Sequence, residues 1–238
     1  MATLLNTADS NDPGPRSPSL SGENLSQKER YHLEELRKAQ DPNNPDPCLP
    51  PPVPASYVIL DVGCGAGQTL MVAYPANSGF GIDIDLDALA LGRRLSNGIR
   101  FACARAEGLP FRDGTFDMVI ARVSLVYSDL DRAIAEIQRV LKQSSTVWIT
   151  LHPFSLCWRQ CKKTNVKGWA RFTYIILNSL LFHFAQRHFS LRGRYESFST
   201  RRGIERVLTR HGFVDVSIVR EPCRYLVSAR RGARETAY

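Results

Sequence analysis

The residues most able to do chemistry stand together at positions 58–67, Val-Ile-Leu-Asp-Val-Gly-Cys-Gly-Ala-Gly. An apolar run leads into the carboxylate of Asp61 and then into glycines at 63, 65 and 67. Glycine at alternate positions lets the backbone turn sharply and come close to a ligand, because no Cβ stands in the way. That layout suits a nucleoside with an amino-acid tail better than one with a diphosphate. A second acid, Asp83, lies in Gly81-Ile82-Asp83-Ile84-Asp85, 20 residues after Gly63. An acid so placed can accept the paired hydroxyls of a ribose, with Ile84 beside the base. Nicotinamide enzymes share this acid, so it does not by itself separate one nucleoside cofactor from another.

The elements around these residues alternate. Short apolar strands are predicted at 57–62, 79–84, 99–104, 116–121 and 146–151, with helices at 68–74, 87–95 and 130–142 between them. The acidic start at Asp129 and Asp131 favours the last of these helices through its dipole. Such alternation predicts an α/β fold: a Rossmann-like, doubly wound, mostly parallel sheet with helices on both faces. A helix at 200–211 and strands at 214–219 and 224–229 complete seven strands, the last two as a closing hairpin. Ahead of the domain, expected over 55–230, stand a polar tail at 1–23, and a helix (25–40) and proline-rich linker together spanning 24–54. The segment 153–197 breaks the alternation as a helical insertion after strand five, and 231–238 reads as a tail. Within it, 169–189 is apolar nearly all round, as a buried lid or an interfacial helix would be.

Leu60-Asp61-Val62-Gly63-Cys64-Gly65-Ala66-Gly67 resembles motif I of class I S-adenosylmethionine-dependent methyltransferases. The resemblance runs over about residues 56–152 and is nearest to the ubiquinone and menaquinone biosynthesis methyltransferase-like subgroup. It implies S-adenosyl-L-methionine as cofactor, held by Asp61, Gly63, Cys64, Gly65, Gly67, Asp83 and Ile84. Ala106 and Glu107, in the segment after strand three, would hold the adenine edge. Family members usually carry Asp where this chain has Arg105, which cannot accept a hydrogen bond. Arg122 follows strand four at the edge where open α/β sheets bind ligands. Asp117 in the family is mainly structural. The family's Pro-Gly-Gly turn before strand five is replaced by Gln143-Ser144-Ser145.

The resemblance implies methyl displacement from a sulfonium to a nucleophile, with the protein supplying orientation and electrostatics. His152, just after strand five, is the candidate base, and Tyr127, His183 and Tyr195 are candidates to line the acceptor pocket. The apolar and aromatic insertion favours a small apolar acceptor, quinone-, lipid- or polyketide-like. Residues 1–158 carry 14 Lys/Arg and 18 Asp/Glu, whereas 159–238 carry 17 and 5. That basic third suggests an anionic partner: a membrane surface, an RNA or an acidic substrate. An RNA or protein methyltransferase and a non-catalytic scaffold are therefore the alternatives. Cys157-x3-Cys161 near His152 lacks the second close pair of a metal site, so no metal is expected. With no apolar run long enough to span a bilayer and no secretory signal, a cytoplasmic protein is expected, with peripheral membrane contact as an option.

Overall fold

Neighbouring residues of the first strand point to opposite faces of a sheet, and both faces are apolar. Ile59 joins Leu70, Tyr74, Met118, Ile120 and Trp148 in one buried cluster. Leu60 and Val62 join Val119, Ala121, Ile134, Ile137, Ile204 and Val227 in another. A sheet buried on both faces needs covering layers on both sides, which is why apolar strands alternate with amphipathic helices.

The computed structural model describes residues 25–44, 48–153, 166–191 and 195–233. Strands β1 (Val58–Val62), β2 (Ser78–Asp83), β3 (Ile99–Cys103), β4 (Phe116–Arg122) and β5 (Leu141–Leu151) pair in parallel. Strands β6 (Phe213–Arg220) and β7 (Tyr225–Arg231) form the expected antiparallel hairpin, and β7 also pairs antiparallel with β5. The order β3-β2-β1-β4-β5-β7-β6 gives the seven-stranded, mostly parallel sheet that the sequence pattern predicts. The helices described are α1 (Gln27–Gln40), α2 (Gln68–Ala73), α3 (Leu86–Leu95), α4 (Leu130–Val140), α5 (Val166–Ala185) and α6 (Arg201–Arg210). Side-chain caps start four of them: Ser26 accepts from Glu29 N–H, Asp85 from Asp87 and Ala88 N–H, Asp129 from Arg132 N–H, and Thr200 from Gly203 N–H.

Three departures from expectation bear on how the sheet is built. The helix predicted to run to 142 stops at Val140, because Leu141 already pairs with Phe116 of β4. Lys142 is held beside it by the Asp117 carboxylate at 2.8 Å. Ser144, at φ 61, stands in the left-handed region near a register shift between Phe116 and Met118, so an irregular strand replaces the expected turn. At the other end of the chain, β7 extends to Arg231 and pairs it with Phe213, so the sheet does not stop at 230. The linker is no free spacer either. Tyr74 Oη donates to Pro51 O and Asn77 Nδ2 to Pro54 O, both at 2.8 Å, while Cys48 and Val53 pack on the core. The tail at 1–23 and the Cys157–Cys161 pair lie outside the described residues.

α1 is set in place by polar contacts. A capping box of Ser26 and Glu29 starts it, and no residue within it is buried. Lys28 pairs with Asp85 at 2.8 Å, Arg94 with Glu29 at 3.1 Å, and Arg122 with Glu35 at 3.9 Å. Exposed ion pairs contribute only about 0–1 kcal/mol each and are screened by salt. α4, by contrast, buries Leu130, Ala133, Ile134, Ile137 and Val140. In hydrogen exchange read by mass spectrometry, α1 is therefore expected to exchange far faster than α4, and faster still at high salt. Equal protection of the two helices would contradict this account.

Candidate functional site

The chain runs β1 to β3 towards one side of the sheet, then returns to place β4 and β5 on the other. The carboxyl ends of β1 and β4 therefore part at a switch point, where open α/β sheets bind ligands. The glycine loop fills this point. Gly63 and Cys64 N–H both donate to Ile82 O, at 2.8 and 2.9 Å, folding the loop over the end of β2. Gly63 has φ 75, and a Cβ there would lie 2.1 Å from Ser124 Cβ. Gly65, at φ 55, would push a Cβ to within 2.9 Å of the His32 ring. Gly67 starts α2 from a left-handed conformation. Val123, a β-branched residue at φ 61, is a strained position directly after β4. Its N–H is held by Thr150, and this turn sets Ser124 Oγ to donate to Val62 O.

A cleft of about 890 Å³ opens here, within the range of small-molecule sites. Gly63, Gly65, Asp83, Ile84, Ala106, Glu107, Arg122, Tyr127, His152 and Tyr195 of the predicted set line it. Asp83 is fixed on both oxygens, accepting from Gly65 N–H at 2.8 Å and Asp85 N–H at 2.9 Å. Each oxygen keeps a further lone pair for a ligand hydroxyl. Asp61 is buried at the end of β1, and its Oδ1 has no hydrogen-bond partner among the described residues. Burial raises its pKa to about 7; Arg122 opposes the rise and Asp83 adds to it. Asp61 does not itself line the cleft but lies buried beneath the loop.

Several predicted residues are placed otherwise. Cys64 is buried and packs its sulfur under Gly81; burial pushes its thiol well up, so it fills space rather than reacting. Glu107 accepts from Asp129 N–H at 2.9 Å and lies 3.5 Å from Arg105 Nε, so it braces the start of α4 as well as facing the cleft. Asp117 accepts from Val58 N–H and Lys142, a structural clasp at the far end of the strands. His183 is corrected: it lies outside the cleft, with Nδ1 2.8 Å from Thr200 Oγ1, because its side of α5 faces α6. Among the described residues, the aliphatic side chains of the insertion do not line the cleft. That wall receives Arg171, Tyr195 and Glu196, with Arg171 Nε 2.7 Å from Glu196 Oε2.

His152 directly follows β5, with Nδ1 buried and without a hydrogen-bond partner among the described residues. Burial holds its pKa below the ordinary histidine range, although a hydrogen bond with the Cys223 backbone works the other way. The ring is therefore neutral at pH 7. Sequence reasoning missed Tyr31 and His32 of α1, which close the cleft over the glycine loop. His32 Nδ1 lies 2.9 Å from Gln68 Nε2. It also missed Arg171, although a lone charge within an apolar helix was a signal.

Two outcomes follow from this geometry. Gly63→Ala is expected to cost about 1–3 kcal/mol in urea unfolding, from the strained φ and the strike on Ser124. Adding Ser124→Gly should recover part of the loss, since it removes the struck Cβ. For Asp61, the raised folded pKa means that the unfolded chain releases its proton first on raising the pH. Asp61 thus takes stability away as pH rises from about 4 to about 7, approaching about 4 kcal/mol at most. Asp61→Asn should accordingly gain stability over the wild type across that window, and a pH-independent difference would refute the assignment.

Residues 60–149 match the family model described as a methyltransferase domain. An uncharacterised methyltransferase of Bacillus subtilis, YcgJ, is 30% identical over 105 residues, covering 41% of this chain and 42% of that protein. A phthiotriol/phenolphthiotriol dimycocerosates methyltransferase of Mycobacterium ulcerans is 35% identical over 91 residues, covering 35% of this chain and 33% of that one. The chain thus spans less than half the length of these curated relatives. A solved SAM-dependent methyltransferase from Methanosarcina mazei shares the fold at TM-score 0.53 and 20% identity, over 76% of this chain and 94% of that one. Residues 60–149 thus resemble a methyltransferase domain, and the chain has the Rossmann-like fold of solved SAM-dependent methyltransferases.

Proposed function

We propose that the protein methylates a small acceptor that joins a flat apolar body to one ionisable oxygen, as a phenol or quinol does. The observation that carries this reading is Asp61, a buried carboxylate with a partnerless oxygen directly ahead of a glycine loop that edges the cleft of about 890 Å³. When bound, S-adenosylmethionine supplies an electrophilic methyl group on a positively charged sulfur. Asp61 answers positive charge from beneath the loop, and Asp83 accepts ribose hydroxyls. Ile84 and Ala106 offer apolar surface to the base. Arg105 takes the place of an acceptor for the adenine amino group, so recognition there falls to the backbone around Ala106.

The far wall sets the acceptor. Tyr127 and Tyr195 provide flat apolar surface with polar tips, and Arg171 and Glu196 form a charged rim. His152, which lines the cleft and is kept neutral by burial, takes the proton from the acceptor oxygen, which makes that oxygen nucleophilic. The relative named for phthiotriol and phenolphthiotriol dimycocerosates supports an apolar acceptor.

Calorimetry with S-adenosylmethionine and S-adenosylhomocysteine tests the first half of the proposal; if neither binds, the domain is a scaffold. Incubation with an isotopically labelled methyl donor and phenolic or quinol acceptors tests the second. His152→Ala should lower kcat by about 10²–10⁴-fold while cofactor affinity stays unchanged. The wild-type rate should hold through neutral pH and fall only well into acid, as His152 takes up its proton. A His152→Ala enzyme with the wild-type rate would remove the base from the mechanism.

A further inference from the structure

We propose that the outer face of α5, together with the arginines beside it, docks onto an anionic lipid bilayer. α5 has two apolar faces. Phe172, Ile175 and Phe182 are buried against the domain. The opposite face carries Trp169, Leu177, Leu180, Leu181 and Phe184, of which Phe184 is 76% exposed and Leu177 53%. Positions 169, 173, 177, 180 and 184 recur at three- and four-residue steps, so they form one continuous stripe. A helix apolar all round requires cover on both sides, and the domain covers only one. Among the described residues no helix is long and apolar enough to cross a membrane, so α5 would lie in the plane of the interface.

Charge identifies the occupant. α6 packs on the carboxyl end of α5, where Thr200 Oγ1 meets His183 Nδ1 at 2.8 Å. Arg206 donates to His183 O at 3.1 Å, next to Phe184. Arg201, Arg202, Arg206 and Arg210 are exposed along α6, and Arg187 is exposed just past α5. Arg210 pairs with Asp131, whereas a shallow depression lined by Arg202, Arg206 and Arg210 holds a single acid, Glu205. An apolar stripe edged with arginines matches acyl chains beneath phosphate headgroups. A second copy of the chain fits less well, because a two-fold contact through the stripe would bring like-charged arginines together. An RNA would leave the leucines of the stripe without a partner. The docking is independent of the proposed reaction. If both hold, α5 faces the bilayer on one side and carries Arg171 into the cleft on the other.

Co-sedimentation of the full chain with vesicles of phosphatidylcholine, with and without phosphatidylglycerol, tests the proposal. Binding is expected to the anionic vesicles and to weaken with salt. Leu180→Asp/Phe184→Asp should weaken it by more than about tenfold, and Arg201→Gln/Arg202→Gln by roughly 25-fold. These side chains are exposed, so melting curves should match the wild type. In the unmutated protein, brominated lipid should quench tryptophan emission, and Trp169→Phe should remove most of that quenching. Absence of binding to anionic vesicles would overturn the proposal. So would a solution dimer that Phe184→Asp dissociates, or arginine-dependent binding to RNA without binding to vesicles. Methyl transfer measured in free solution on the same variants would be unchanged, which keeps failure of docking distinct from failure of the reaction.

Discussion

The site depends on a short pair of hydrogen bonds: Gly63 and Cys64 N–H on the carbonyl of Ile82. They fold the loop leaving β1 across the end of β2, and Asp83 then accepts from Gly65 N–H in return. Loop and acid therefore hold one another, and neither has its present position without the other. Because no Cβ stands at 63 or 65, Ser124 packs against Gly63 and the His32 ring against Gly65. Across the gap, the turn at Val123 carries a strained φ and brings Ser124 against Gly63. Rigidity concentrates at the sheet edge, where two strands part and a ligand must be gripped without rearrangement.

Around this rigid centre the cover is softer. α1 reaches the loop through His32 and is otherwise tied by ion pairs, so it can lift without exposing core. The insertion brings Arg171, Tyr195 and Glu196 to the opposite wall. His188, with its ring stacked on Phe182 at 4.5 Å, lies 3.8 Å from the Asp129 cap of α4 and fastens the insertion to the domain. One side of the cleft thus belongs to the sheet and the others to added elements, an arrangement in which the added walls can vary while the sheet wall stays constant.

Much of this was legible in the sequence for a local reason. Strands buried on both faces give continuous apolar runs, and the loop needs glycine at particular positions, so both leave marks in neighbouring residues. The hairpin was legible from two apolar runs around Glu221-Pro222-Cys223. What stayed hidden depends on contacts distant in sequence. Nothing near His32 or Tyr31 signals that α1 closes over a loop thirty residues on. His183 was misplaced because an apolar helix with two apolar faces does not declare which one turns inward. The end of α4 was misread because Leu141 and Lys142 continue its pattern, and only pairing with Phe116 and Asp117 makes them strand.

The hairpin enters the sheet in reverse, with β7 against β5 and β6 at the outer edge. During synthesis, β5 is complete long before its neighbour exists, and Val147, Ile149 and Leu151 wait beside an open row of backbone donors and acceptors. The earlier-made β6 cannot serve, since its own place is defined by β7. A nascent chain halted short of Arg231 would present a sticky border to other chains, which makes the final strand the step that renders the newborn domain safe.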